Sequence, residues 1–149
     1  MNPIDRSPSS GARWGALVTG LVALGTSGFY SWPALVVGGF GFVLLAVGLL
    51  RGSNANVTGG AFGLFVAAIL AGVGAGPIGP VLVSAITAVL AWDYGGTAIS
   101  IGTQLGSEAE TGRVETVHMG ASALVGTVTA GVGYGLYWTG SGGKPVTAL

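Results

Sequence analysis

PALVVGGFGFVLLAVGLL, residues 33–50, carries no charged side chain between its opening proline and the arginine that follows it. At about 1.5 Å per residue, such a stretch is long enough to cross the hydrocarbon core of a bilayer as an α-helix. Pro33 suits the first turn of that helix, where its missing N–H removes no hydrogen bond. Outward from here, four more apolar stretches are set off by Gly, Pro and polar residues: residues 14–30, 59–76, 77–92 and 119–138. Each is near the lower length limit for a span, which fits a compact bundle whose helix ends reach the headgroups.

Composition leads to the same class. Only 7% of the 149 residues are charged and 50% are apolar, with a mean hydropathy of +0.76, whereas a soluble domain carries about a quarter charged residues. A soluble domain of this length also leaves much of its surface to water. The chain is therefore expected to be all-α: an integral membrane helical bundle of about five transmembrane helices plus a cytoplasmic amphipathic segment. Residues 1–13 read as a disordered tail, 14–138 as a single transmembrane domain and 139–149 as a C-terminal tail. Arg6 and Arg13 ahead of an apolar run are also how a signal peptide begins. The leading region is long and rich in Pro and Ser, and further apolar runs follow, so the first span is read as uncleaved.

Charge and cysteine content narrow the function classes. Five basic and five acidic residues balance, leaving no basic footprint for nucleic acid and no polybasic patch for anionic lipid. The absence of cysteine rules out disulfides, thiolate nucleophiles and cysteine-ligated metal sites. Counting Lys and Arg on alternate sides places Arg6, Arg13, Arg51 and Arg113 against Lys144, which predicts a cytoplasmic N-terminus and an outside C-terminus. The expected location is the cell membrane.

The links have their own chemistry. Pro77 and Pro80 in GPIGP force a reversal between spans three and four. RGSNANVTGG, residues 51–60, reads as a polar loop in which Thr58 serves as a helix cap. Thirty glycines would weaken helices in water, by about 1 kcal/mol each relative to Ala. In a membrane they let backbones approach, and small-xxx-small spacings occur at Gly48/Gly52, Gly59/Gly63, Gly126/Ala130 and Gly131/Gly135. Intramolecular packing and a homo-oligomer interface are both open from these spacings.

Asp93 is the first candidate site. A carboxylate at mid-bilayer costs about 2.5 to 3.5 kcal/mol on insertion scales and marks a functional position by default. If span four ends near Trp92, Asp93 is interfacial; if that span runs over residues 81–102, Asp93 is buried and needs a partner. After it, Ala98, Ile101, Leu105 and Ala109 recur at helical spacing, predicting an interfacial helix over about residues 97–118. Ser107 and Glu110 have the spacing of a capping box, and Glu110 can pair with Arg113.

His118 is the only histidine, and Glu115 with His118 forms a Glu-x-x-His, whose side chains share a helical face as in bundle metal sites. Two ligands are too few, so no metal and no cofactor is assigned. Catalytic templates fail as well. A Ser–His–Asp set exists in letters without a nucleophile-elbow motif, Asp93 has no second Asp in the later spans for an aspartyl mechanism, and no phosphate-binding fingerprint stands in its proper context. The expectation is a chain that is not an enzyme.

The block AWDYGGTAISIGTQLGSEAETGRVETVH, residues 91–118, resembles the recurrent block of small multi-pass membrane proteins of unknown function in haloarchaea. The resemblance rests on Asp93, Ala98, Ile99, Gly102, Gln104, Leu105, Gly106, Glu108, Ala109, Glu110, Thr111, Arg113, Glu115 and His118, about a fifth of the chain. Such proteins are similar to companions of MoxR-type ATPases and transglutaminase-like membrane proteins, so the resemblance implies an accessory role beside an ATPase or membrane-protein partner. Two functional readings follow. In the first, the chain is a structural or accessory subunit of a membrane complex whose partner-contact segment holds Gln104, Glu108, Glu110, Arg113, Glu115 and His118. In the second, it is a small oligomeric transporter or proton-coupled carrier using Asp93.

Overall fold

The computed structural model describes residues 8–74, 76–105 and 112–141. They form five helices, α1 Ser10–Gly28, α2 Trp32–Arg51, α3 Asn54–Val73, α4 Ile78–Leu105 and α5 Gly112–Ser141, with no strand among the described residues. This is the expected all-α membrane class. Four helices, α2 to α5, are long and apolar enough to cross a membrane. The shorter α1 carries Arg13 near its start and several Gly, Ser and Thr residues, and is not in that group.

Short links make neighbouring helices antiparallel. At the α1–α2 link, Ser31 accepts a hydrogen bond from the N–H of Ala34, and Pro33 occupies the first turn as expected. At the α2–α3 link only Gly52 and Ser53 lie outside helix. Gly52 adopts the left-handed conformation, φ 63°, that closes α2, because glycine has no Cβ to clash there. Ser53 then accepts from the N–H of Asn56 and starts α3. The polar loop expected over residues 51–60 is thus mostly the first turns of α3, and Ser53, not Thr58, is the cap. Between α3 and α4 the chain reverses through Gly76 and Pro77, with the Gly76 N–H on the Ala71 carbonyl, and Pro80 sits in the first turn of α4.

Helices α1 to α4 close a four-helix bundle in which α1 contacts α2 and α4, and α3 contacts the same two. The closest contact is α2 on α3. A Cβ on Gly41 would stand 2.7 Å from the Gly60 carbonyl oxygen, and one on Gly60 would stand 2.6 Å from that of Gly41. The two backbones touch, so neither position has room for a side chain. Leu45, Leu49, Val57 and Leu64 fill the space beside this seam, and Ala12, Ala16 and Ala23 bring α1 against it. Across the middle, the buried hydroxyls of Ser27 and Ser84 both donate to the Ala23 carbonyl at 2.8 Å, one from within α1 and one from α4. α5 lies outside this square. It touches α4 and, at its first turns, α1, and no residue of its most apolar stretch is buried.

The helix boundaries differ from the sequence reading at one place that matters for function. α4 does not end near Trp92 and hand over to a separate interfacial helix; it runs unbroken to Leu105, and residues 112–118 open α5. Two features carry α4 through the polar patch. Asp93 is bonded by side chains of α5, and Gly95 receives Val57 so closely that a Cβ there would meet its Cγ1 at 2.7 Å.

Candidate functional site

The bundle end that holds the start of α1, Arg51, the start of α3 and the start of α5 is where the polar side chains collect. Asp93 lies about 22 Å along α4 from Ile78 and about 18 Å from Leu105, at 1.5 Å per residue. Its level in the bundle is fixed by its neighbours: the Trp92 indole N–H donates to Thr58 at 3.1 Å, and Gly95 faces Val57. Asp93 is therefore about one turn in from the Gly52–Ser53 reversal, near one end of the α2–α3 pair. Beyond it, α4 continues for some three turns.

Two side chains meet at its carboxylate, and a third holds one of them. His118 Nε2 is 3.0 Å from Asp93 Oδ2, and the Ser122 hydroxyl donates to the same oxygen at 2.7 Å. The Thr97 hydroxyl, one turn along α4, is 3.2 Å from the same His118 nitrogen. The pair is half-exposed, 43% for His118 and 31% for Asp93. No described residue bonds Oδ1. Interhelical bonds of this kind in membranes contribute about 0.6 kcal/mol on average, so the cluster fixes the register of α5 on α4 more than it stabilises the fold.

Two further bonds hold the same end of α5. Glu115 is 5% exposed and its Oε2 accepts the Ala12 N–H at 3.1 Å. Ala12 is the third residue of α1, so Glu115 supplies from another helix what an N-cap side chain supplies locally, and it sets a negative charge at the positive end of the α1 dipole. The space it needs comes from Gly11, where a Cβ would stand 2.6 Å from Oε2. The Tyr94 hydroxyl, buried, donates to the Met119 carbonyl at 2.8 Å. Ser9 ahead of α1 donates its N–H to the Ala98 carbonyl. Glu115, Met119 and Ser122 recur at four and three residues and form the bundle-facing stripe of α5.

Of the expected partner-contact residues, Glu115 and His118 are thus engaged within the chain. They separate, one toward α1 and one toward Asp93, and do not converge on a common point. Among the described residues no group of three His, Asp or Glu side chains lies together as a metal site would need. Gln104 donates to Ser100 at 3.1 Å on the exposed last turns of α4, and Arg113 is exposed at the start of α5. Glu108 and Glu110 fall outside the described residues. Ser122 and Thr97 carry no signal of their own in the sequence. Ser122 was within reach, because it follows His118 by one turn and Glu115 by two.

Two grooves flank Asp93 and Trp92. One, of about 580 Å³, lies between the start of α3 and the far part of α4 and is lined by Asn54, Thr58, Thr97 and Ser100. The other, of about 470 Å³, lies between α4 and α5 and is lined by Ile86, Val89, Leu90, Val125 and Gly126. Asp93 and Trp92 belong to both.

The model of a family of unknown function, DUF7519, matches residues 6–149. No curated protein and no solved structure matches the chain. The chain belongs to the DUF7519 family.

Proposed function

We propose that this member of the DUF7519 family is a non-enzymatic, multi-pass membrane protein that serves as a structural or accessory subunit of a membrane complex. The observation that carries the reading is the state of α5. It is anchored at one end by Glu115, His118, Met119 and Ser122, and its apolar remainder meets its own bundle only along one narrow stripe, Gly126 against Ile86 of α4, with no residue of its most apolar stretch buried. A helix held this way presents a continuous face to the bilayer and to whatever helix approaches through it.

The polar cluster supports the non-enzymatic half. In a serine triad the imidazole stands between hydroxyl and carboxylate, so that it takes the nucleophile's proton. Here Ser122 and His118 both meet Oδ2 of Asp93, an arrangement that holds helices together without activating the hydroxyl. Orientation with the N-terminus in the cytoplasm is part of the same proposal. Arg13, Arg51 and Arg113 all stand at one end of the bundle, and the cytoplasmic side is where such residues accumulate.

Mild-detergent purification of the tagged protein from its native membrane, with mass spectrometry of what stays bound, tests the reading. A stoichiometric membrane-protein or ATPase partner, lost when Glu108, Glu110 and Arg113 are replaced together, supports it. Purification of the chain alone from native membranes sinks it. A second reading, a small oligomeric carrier, draws on the half-exposed Asp93 between its two grooves. Flux in proteoliposomes that vanishes in Asp93→Asn is its signature, and equal flux in both proteins removes it.

A further inference from the structure

We propose that the exposed stripe of α4 around Asp93 is a binding site for an amphiphile with a cationic ammonium head and an apolar chain. The inference requires only the membrane-spanning bundle, not a partner or transport. It starts from the carboxylate. Both described bonds fall on Oδ2, so Oδ1 keeps its capacity to accept. Asp93 is the only charged residue among the described residues that line either groove. A carboxylate with one oxygen left to accept at a membrane edge favours a cationic donor.

The walls match the two ends of such a molecule. Toward the far part of α4, the groove offers Asn54, Thr97 and Ser100 beside Asp93. Trp92, half-exposed, lies at the boundary, and an indole face attracts an ammonium group while remaining apolar toward a chain. In the other direction along α4 the surface turns apolar. The α4–α5 groove runs from Asp93 and Ser122 past Val89 and Val125 to Ile86, and a smaller apolar groove against Phe62 and Phe65 of α3 adjoins Trp92 on the other side. A polar recess at the membrane edge that continues into an apolar trough at greater depth follows the profile of an amphiphile standing in a leaflet. His118 faces Asp93 from α5 on the Oδ2 side, which leaves the recess between α3 and α4 to the head.

The full chain in a neutral maltoside detergent, with Trp14, Trp32 and Trp138 replaced by Phe so that Trp92 alone emits, provides the assay. The three replaced residues are exposed. Dodecylammonium is titrated against dodecyl sulfate and ethylammonium. The expected result is a saturable change in Trp92 emission with dodecylammonium, at a concentration at least tenfold below that of either control. Asp93→Asn should raise the half-saturation point tenfold or more. Gly96→Leu should do the same: it fills the polar recess but leaves the bonds of Asp93 in place, and a Cβ at Gly96 meets nothing nearer than Asn54 at 3.9 Å. Unchanged far-UV circular dichroism establishes that both variants are folded. An equal response to dodecyl sulfate overturns the proposal, as does wild-type binding by both variants. An equal response to ethylammonium overturns the chain half of it.

Discussion

The α2–α3 seam and the α4–α5 contact solve the same problem by opposite means. In the seam the backbones meet directly at Gly41 and Gly60, buried leucines close the flanks, and the two-residue reversal leaves little slack. At α5 the helix is mostly uncovered, and polar bonds of Glu115, Tyr94 and Ser122 hold one end. In lipid there is no hydrophobic gain in bringing two apolar helices together, so association rests on close packing or on hydrogen bonds. The seam uses the first and α5 the second. A close-packed seam is insensitive to polar substitutions and intolerant of volume; a bonded helix is the reverse.

The largest effect is expected in the seam. A Cβ on Gly60 meets the backbone nitrogen of Leu45 and stands 2.7 Å from its Cα. These are backbone atoms, and no rotamer change relieves the clash. Gly60→Ala should cost about 3 kcal/mol, the upper end for overpacking, read as the shift in unfolding measured by steric trapping in bicelles. A loss below about 1 kcal/mol would mean that α2 and α3 separate easily, and the seam would not be the rigid half of the comparison.

Next comes the anchor. Glu115→Ala removes the acceptor for the Ala12 N–H and should cost about 1 kcal/mol, as the loss of an N-cap does. Its main signature is local. Spin labels at Val22 on α1 and Thr127 on α5, simple to place in a chain without cysteine, should report a broadened distance while the α2–α3 distance stays sharp. Ser84→Ala, which removes the bond from α4 to the Ala23 carbonyl, should cost less, about 0.6 kcal/mol by the average for interhelical bonds in membranes. Ala23 keeps the Ser27 hydroxyl, so no buried carbonyl is left bare.

Much of the first half of this contrast was legible in the sequence. Uncharged runs bounded by Pro33, Arg51 and GPIGP give the helices, because in lipid only helices and closed barrels satisfy every backbone group. The abundance of glycine announces close crossing. Which glycines cross was not legible. Gly59/Gly63 and Gly131/Gly135 have the same spacing; Gly63 lies 3.0 Å from Gly41 by its added Cβ, while Gly131 and Gly135 face open space. Spacing reports a helical face but not what stands opposite it. The polar site divides in the same way. Asp93, Glu115 and His118 stood out by chemistry, but their partners are a backbone N–H of α1, a serine and a threonine, which carry no signal in isolation. The end of α4 is not legible because Asp93 and Gly95–Gly96 look like a helix terminus when the residues that meet them, His118 and Ser122 for Asp93 and Val57 for Gly95, stand far away in the chain.

The smallest effect belongs to the exposed glycines of α5, and it is the most informative. A Cβ at Gly135 has nothing within 4 Å, so Gly135→Ala meets no steric penalty, and its intrinsic helix preference, about 1 kcal/mol in water, acts in favour of the variant. The expected stability change is therefore zero or slightly positive, against the large loss for the same substitution at Gly60. Gly135→Leu extends the test, since it too finds open space in the isolated chain. If α5 faces only lipid, the leucine should be silent in every assay. If the accessory role is right, the added volume should displace the partner helix and abolish co-purification while stability stays as in the wild type. A seam glycine cannot be asked this question, because there packing within the chain fails before any partner is consulted.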